Sequence, residues 1–331
     1  MADPLCDIMA ILMTDPLSAH AAVLGTGMMG PGIAVSLALG GFDVTLVSRS
    51  DDSAAFGLQT SHTLLDTLLS HQLVTPDDAA AALPRLAASS DLPAAAARAA
   101  LIIESVPEDM ELKQNLFAEL DRLAPPTAIL ASNTSGLSIT QIAVRCARPE
   151  RVLTTHFWNP PHLMPLVEIV CGAQTAPELA IQTRDLLLRC GKVPVLVKKD
   201  RPGQLGNRLQ MALFREAVHI IQEGIATAED VDTAARLGFG IRLPAYGILE
   251  HVDLVGLPLA RAVCDYAARD LNNDPRAPDL FDRKIAAGET GAAAGQGFYD
   301  WSAKSPAAVR ARRDRFLIEC LRLGVHRPSE P

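Results

Sequence analysis

Two short stretches hold side chains able to do acid–base chemistry: "SNTSGLSIT" at 132–140 and "HFWNPPHLMPLVEIV" at 156–170. Oxidation of an alcohol needs a base for the hydroxyl proton, and histidine is the side chain whose pKa suits that task near neutrality. His156 ends the apolar run "RVLTTHF", and Glu168 follows after a proline-containing turn, so the two can face each other. A carboxylate on one ring nitrogen would fix the tautomer and stabilise the imidazolium, leaving the other nitrogen to act. By spacing alone, a structural histidine is the commoner outcome of such a pattern.

A second constellation is Gly25-Thr26-Gly27-Met28-Met29-Gly30. It follows a predicted strand and opens a predicted helix, the context in which G-x-G-x-x-G holds a dinucleotide pyrophosphate at the helix's positive end. Some twenty residues on, a nucleotide-binding strand commonly ends in an acid that bonds the adenosine ribose, or has an arginine nearby for a 2′-phosphate. Here "VTLVSRSDD" places Ser48, Arg49 and Ser50 at that end, donors and a cation that suit a phosphate. The alternative is a solvated Arg49 with Asp51 or Asp52 swinging in.

These residues need a frame that brings strand ends together. "HAAVLGTGMMGPGIAVSLALGGFDVTLV" reads as strand, glycine turn, helix and strand, a βαβ unit. Short apolar runs at 99–107, 127–135, 151–160, 166–170 and 192–200 continue the alternation, with a helical pattern between the first two. Such alternation predicts an α/β domain, a Rossmann-like doubly wound parallel sheet, over 19–200. The Ala-rich segment 76–98 reads as short helices around an insertion. From the Pro202-Gly203 break onward the spacing is helical, which predicts an all-α domain over 201–331. Residues 1–18, in which "MADPL" is echoed as "MTDPL", read as a flexible extension without the basic start of a signal peptide.

The formal net charge of −8 argues against non-specific nucleic-acid binding, which needs phosphate-neutralising cations. No apolar run is long enough to cross a bilayer. Six cysteines stand singly, without metal or redox spacing, so reduced thiols in a cytoplasmic compartment and no metal site are expected.

Together the glycine turn, S-N-T-S and H-F-x-N-P-x-x-x-x-P-L-V-E resemble the L-3-hydroxyacyl-CoA dehydrogenase family, over about residue 20 to Trp301. The resemblance implies that His156 is the general base and Glu168 its partner. It implies that Ser135 and Asn207 hold the substrate oxygen, that Asn159 lies by the nicotinamide, and that Glu108 and Lys113 line the cofactor site. It also implies a homodimer through the helical domain, NAD or NADP as cofactor, and a hydroxy acid or acyl-CoA as substrate.

Departures from that pattern bear on both ligands. Ser48 replaces the ribose-binding acid, and Ala293 replaces a lysine of the family's closing segment. From Ser50 to Pro84 there is no Lys or Arg, but there are Asp51, Asp52, Asp66, Asp77 and Asp78. A CoA 3′-phosphate would meet like charge there. Some relatives oxidise small acids without CoA, such as carnitine, gulonate or a hydroxymethyl-pyridine carboxylate, and "GFGIRLPAYGILEHVD" resembles that branch. Arg242 is then a candidate clamp for a substrate carboxylate, with a salt bridge to Glu250 or Asp253 as the structural alternative.

Overall fold

The structure, a computed structural model, describes residues 19–326, so the expected extension over 1–18 lies outside the described residues. The chain divides into two compact units between Asn207 and Arg208.

The first unit is built on an eight-stranded sheet. Its elements, in chain order, are β1 (His20–Leu24), α1 (Gly30–Leu39), β2 (Asp43–Val47), α2 (Asp51–Ser70), α3 (Pro76–Ala82), β3 (Leu86–Ser89), α4 (Leu92–Arg98), β4 (Leu101–Glu104), α5 (Met110–Leu123), β5 (Ile129–Ser132), α6 (Ile139–Ile142), β6 (Val152–Phe157), β7 (Leu166–Cys171), α7 (Pro177–Arg189) and β8 (Val193–Val197). The strand order is β3-β2-β1-β4-β5-β6-β7-β8, so the chain reverses direction across the sheet between β1 and β4. Strands buried on both faces read as continuous apolar runs, and β1, β4 and β5 do so. Phe117 and Leu120 of α5 pack with Ile102 and Leu130 beneath the sheet, all fully buried. Each such side chain contributes roughly 1.5–3 kcal/mol by leaving water.

Helix starts follow local chemistry. Asp109 caps α5 by accepting from the Leu112 amide at 2.8 Å, and Ser50 caps α2 through the Ser53 amide at 3.3 Å. Thr75 and Asp78 form a reciprocal capping box at α3. Several acids of the lysine-free segment therefore sit in first turns, where the helix dipole favours them.

Two elements depart from the sequence reading. The Ala-rich segment contains the edge strand β3, paired in parallel with β2, between the helices α3 and α4. "LAAS" is too short and too bland to announce a strand, and pairing with β2 makes it one. The sheet is also not uniformly parallel: β6 and β7 pair antiparallel, because residues 158–165 join them without a crossover helix.

The second unit continues α8 (Gly206–Gln222) into α9 (Ala228–Ala234), α10 (Ile248–Val255), α11 (Leu257–Ala267), α12 (Asp279–Ala286) and α13 (Pro306–Arg322). Its only described strand-like pairing is a pair of bridges, Gly291 with Gln296 and Gln296 with Asp300. Among the described residues beyond 207, only Val218 and Ile318 are buried hydrophobics. No described helix is long and apolar enough to cross a membrane.

Candidate active site

The glycine turn lies at the carboxyl end of β1, beside the β1/β4 reversal where open α/β sheets bind ligands. Gly25 has φ +102°, and a Cβ there would run into the Ser105 carbonyl; one on Gly30 would run into the Gly25 carbonyl. Gly27, by contrast, is exposed and faces open space, with nothing within 4 Å of where a Cβ would be. Met29 at the N-cap offers no side-chain acceptor to the first-turn amides of α1. A close-packed turn with an open middle and unclaimed helix amides fits a dinucleotide pyrophosphate. Met28 beside it is 78% exposed.

At the tip of β2, the Ser48 hydroxyl accepts from Thr26 Oγ1 at 3.2 Å, tying the strand end to the glycine turn. Ser50 is committed to its cap, and Asp51 accepts from the Ser90 hydroxyl at 2.6 Å. Arg49 is exposed and, among the described residues, takes part in no ion pair.

Across the antiparallel pair, His156 and Glu168 are register partners. Both are buried, and His156 Nδ1 lies 3.1 Å from Glu168 Oε2. The other carboxylate oxygen accepts from the Gly206 amide at 2.6 Å. Both oxygens are thus held, and an imidazole that donates from Nδ1 to the carboxylate in its neutral form carries no proton on Nε2. A Cβ on Gly206 would lie 2.5 Å from Trp158 Cζ2 and 2.7 Å from Glu168 Oε1, so only glycine brings this amide so close. The Trp158 ring stands 5.3 Å from that of His156, centroid to centroid. Neither Gly206 nor Trp158 stood out in the sequence; Gly206 had one signal, its place immediately before Asn207.

The S-N-T-S turn follows β5. Asn133 Oδ1 accepts from the Phe157 amide at 2.8 Å while its Nδ2 donates to Ser105 Oγ at 3.2 Å. Glu108 Oε1 accepts from Thr134 Oγ1 at 2.5 Å and from the amides of Ser135 and Gly136 at 3.1 and 3.2 Å. Burial would raise the Glu108 carboxyl, but the Thr134 hydroxyl, the Lys113 ammonium and the Gly136 amide outweigh it and hold it below the ordinary carboxylate range. Gln204 donates to the Thr134 carbonyl at 2.8 Å, and Asn207 Nδ2 donates to that of Ser135 at 2.8 Å. Ser135 and Asn207 are therefore brought together.

Lys113 sits differently from an open cofactor-lining cation. It is 1% exposed, and its Nζ lies 2.6 Å from Glu104 Oε1, 3.3 Å from the Val106 carbonyl and 3.4 Å from Glu108 Oε2. Glu104, the last residue of β4, also accepts from Ser132 Oγ and the Val106 amide, each at 2.6 Å. Asn159 is exposed on the turn after β6. Arg242 belongs to the second unit, exposed in the short turn Gly240–Arg242. Among the described residues no ion pair joins it to Glu250 or Asp253; Glu250 instead accepts from the Gly247 amide. No group of three or more His, Cys, Asp and Glu among the described residues is arranged to hold a metal.

Residues 20–201 match the family described as "3-hydroxyacyl-CoA dehydrogenase, NAD binding domain", and residues 203–301 match its C-terminal domain. The chain is 33% identical to the 5-formyl-3-hydroxy-2-methylpyridine 4-carboxylate 5-dehydrogenase of Mesorhizobium japonicum, over 91% of this chain and 97% of that one. It is 34% identical to the 3-hydroxybutyryl-CoA dehydrogenase of Bradyrhizobium diazoefficiens, over 87% and 97%. A crystal structure of a 5-formyl-3-hydroxy-2-methylpyridine 4-carboxylic acid 5-dehydrogenase, described as an NAD+ dependent dismutase, superposes with a TM-score of 0.83 at 33% identity, covering 92% of this chain and 97% of that one. With a glycine turn fit for a dinucleotide, a buried His–Glu pair and matches along both units, the chain belongs to the 3-hydroxyacyl-CoA dehydrogenase family.

Proposed function

We propose that this NAD-dependent dehydrogenase, acting on a CH–OH group, takes a small L-3-hydroxy acid that carries no CoA. The observation that supports this is the segment α2–α3, which has no Lys or Arg between Ser50 and Pro84 and carries five aspartates. A CoA nucleotide laid against it would gain no charge-assisted contact. The similarity to an enzyme of pyridine carboxylate chemistry points the same way, and Arg242 is the residue proposed to pair with a substrate carboxylate. Turnover of 3-hydroxybutyryl-CoA beside free 3-hydroxy acids tests this. Free acids should be preferred by at least tenfold in kcat/KM; preference for the thioester would leave the second reading, a 3-hydroxyacyl-CoA dehydrogenase, which similarity to the Bradyrhizobium enzyme favours.

In this reading Ser135 and Asn207 hold the substrate oxygen, and His156 Nε2 removes its proton. Glu168 orients the ring through Nδ1 and stabilises the imidazolium that results. NAD or NADP, when bound, supplies the hydride acceptor. Gly25, Gly27, Met28, Met29 and Gly30 would hold its pyrophosphate, with Glu108 and Asn159 along its path and Lys113 acting from beneath through Glu108. Ser48 and Arg49 would accept a 2′-phosphate, so NADP should serve at least as well as NAD. The enzyme is proposed to be cytoplasmic and to work as a homodimer through its helical unit.

A further inference from the structure

The turn at 158–165 joins His156 to Glu168 and carries Trp158 and Asn159. It is gripped from two sides. Gly32 of α1 admits it closely: a Cβ there would lie 2.7 Å from Pro161 Cγ and 3.2 Å from the His162 amide nitrogen. Lys192, at the entry to β8, donates from Nζ to the carbonyls of Pro161 at 2.6 Å and Met164 at 3.2 Å. The turn closes on itself through the Leu163 and Met164 amides, which donate to the Pro160 carbonyl at 3.0 and 2.9 Å.

Lys192 is 7% exposed and, among the described residues, has no carboxylate partner. An unpaired buried ammonium is unfavourable, and two carbonyls on one turn are what its charge gains. We propose that Lys192 is a positioning residue, whose ammonium locks the Pro161–Met164 turn and through it keeps Asn159 and the His156–Glu168 pair in working geometry. Its effect on turnover rests on the dehydrogenase reading; its hold on the turn does not.

Burial pushes the Lys192 amine down to about 8. Cys190 is the titratable group that acts on it, and no carboxylate pairs with it among the described residues. Cys190, at the end of α7, has its thiol pushed up to about 12 by burial and stays neutral; Arg189 of the same helix lies over the Phe42 ring; His162 lies on the turn; α1 presents the uncharged Gly32. The grip should therefore weaken as pH rises through about 8. Global stability responds oppositely: between the folded pKa of about 8 and the ordinary 10.5 the unfolded chain binds more protons, so this group's contribution to stability rises with pH. A loosening turn in a fold that does not weaken from this group marks positioning rather than general stabilisation.

Hydrogen exchange of the Leu163 and Met164 amides in the full chain, corrected for intrinsic exchange, reads the closure of the turn that Lys192 grips. Bonds to a charged donor are strong enough for protection to fall about tenfold between pH 7 and pH 9. Lys192→Met should show the low value at both pH values, and Lys192→Arg should hold protection across the range. NADH, used as the probe by its fluorescence, should bind Lys192→Met several-fold more weakly. Equal protection of the parent at both pH values would overturn the proposal even if neither variant folds, as would parent-like protection in Lys192→Met. Absence of turnover on every hydroxy acid, with the pH-dependent protection intact, supports the clamp and counts only against the dehydrogenase reading.

Discussion

Glu168 has two oxygens and both are engaged, one by His156 and one by the Gly206 amide. That double hold orients the imidazole, and His156 Nε2 is the atom proposed to take the substrate's proton. His156→Gln should fold and bind NADH yet lose turnover by about 10²–10⁴-fold, the worth of a positioned base; a variant within threefold of the parent in kcat would sink the assignment. Ser48 is the residue proposed to bear on cofactor choice. Ser48→Asp should move the ratio of kcat/KM for NAD over that for NADP upward by tenfold or more, because an acid accepts from ribose hydroxyls and repels a 2′-phosphate. A large preference of the parent for NAD would mean that the exposed Arg49 does not pair with a 2′-phosphate.

At the scale of elements, the carboxyl ends of β4 and β5 are bolted together by charge. Glu104 binds Lys113 of α5, Ser132 of β5 and the Val106 amide, with Lys113 and Glu104 both essentially sealed from water. This bolt underlies Glu108 and the S-N-T-S turn. Breaking a buried pair from one side leaves an uncompensated charge, so Glu104→Gln should cost about 3–5 kcal/mol in chemical unfolding. Removing both charges in Glu104→Gln with Lys113→Met should recover part of that loss; additive losses in the double variant would show that the pair is not coupled. Acid acts one step further out. Because the Glu108 carboxyl is held below its ordinary range, its contribution is complete above the unfolded pKa and is lost as pH falls through the folded one.

On the scale of the whole molecule, the helical unit leaves its apolar side chains uncovered. Leu249 is 78% exposed, Leu254 74% and Tyr266 79%, while Val218 and Ile318 alone are buried hydrophobics beyond residue 207 among those described. We propose that a second copy of the chain covers this apolar surface. Analytical sedimentation at micromolar concentration should give the mass of two chains; a monomer at that concentration would rule the dimer out.

Much of this was legible in the residues. The glycine turn, the alternation of apolar runs and helical patterns, and the His156–Glu168 spacing are local signals, and local signals survive in a linear chain. The edge strand β3 was not legible, since four bland residues become a strand only by pairing with β2. The antiparallel pairing of β6 with β7 was not legible in a pattern that predicted a parallel sheet, although the proline-containing turn that lets His156 and Glu168 face each other was. Lys113 and Lys192 look alike in the sequence as two lysines near motifs. Tertiary packing alone gave one a buried carboxylate and the other two carbonyls, because burial and partnership depend on which distant segments fold against a side chain.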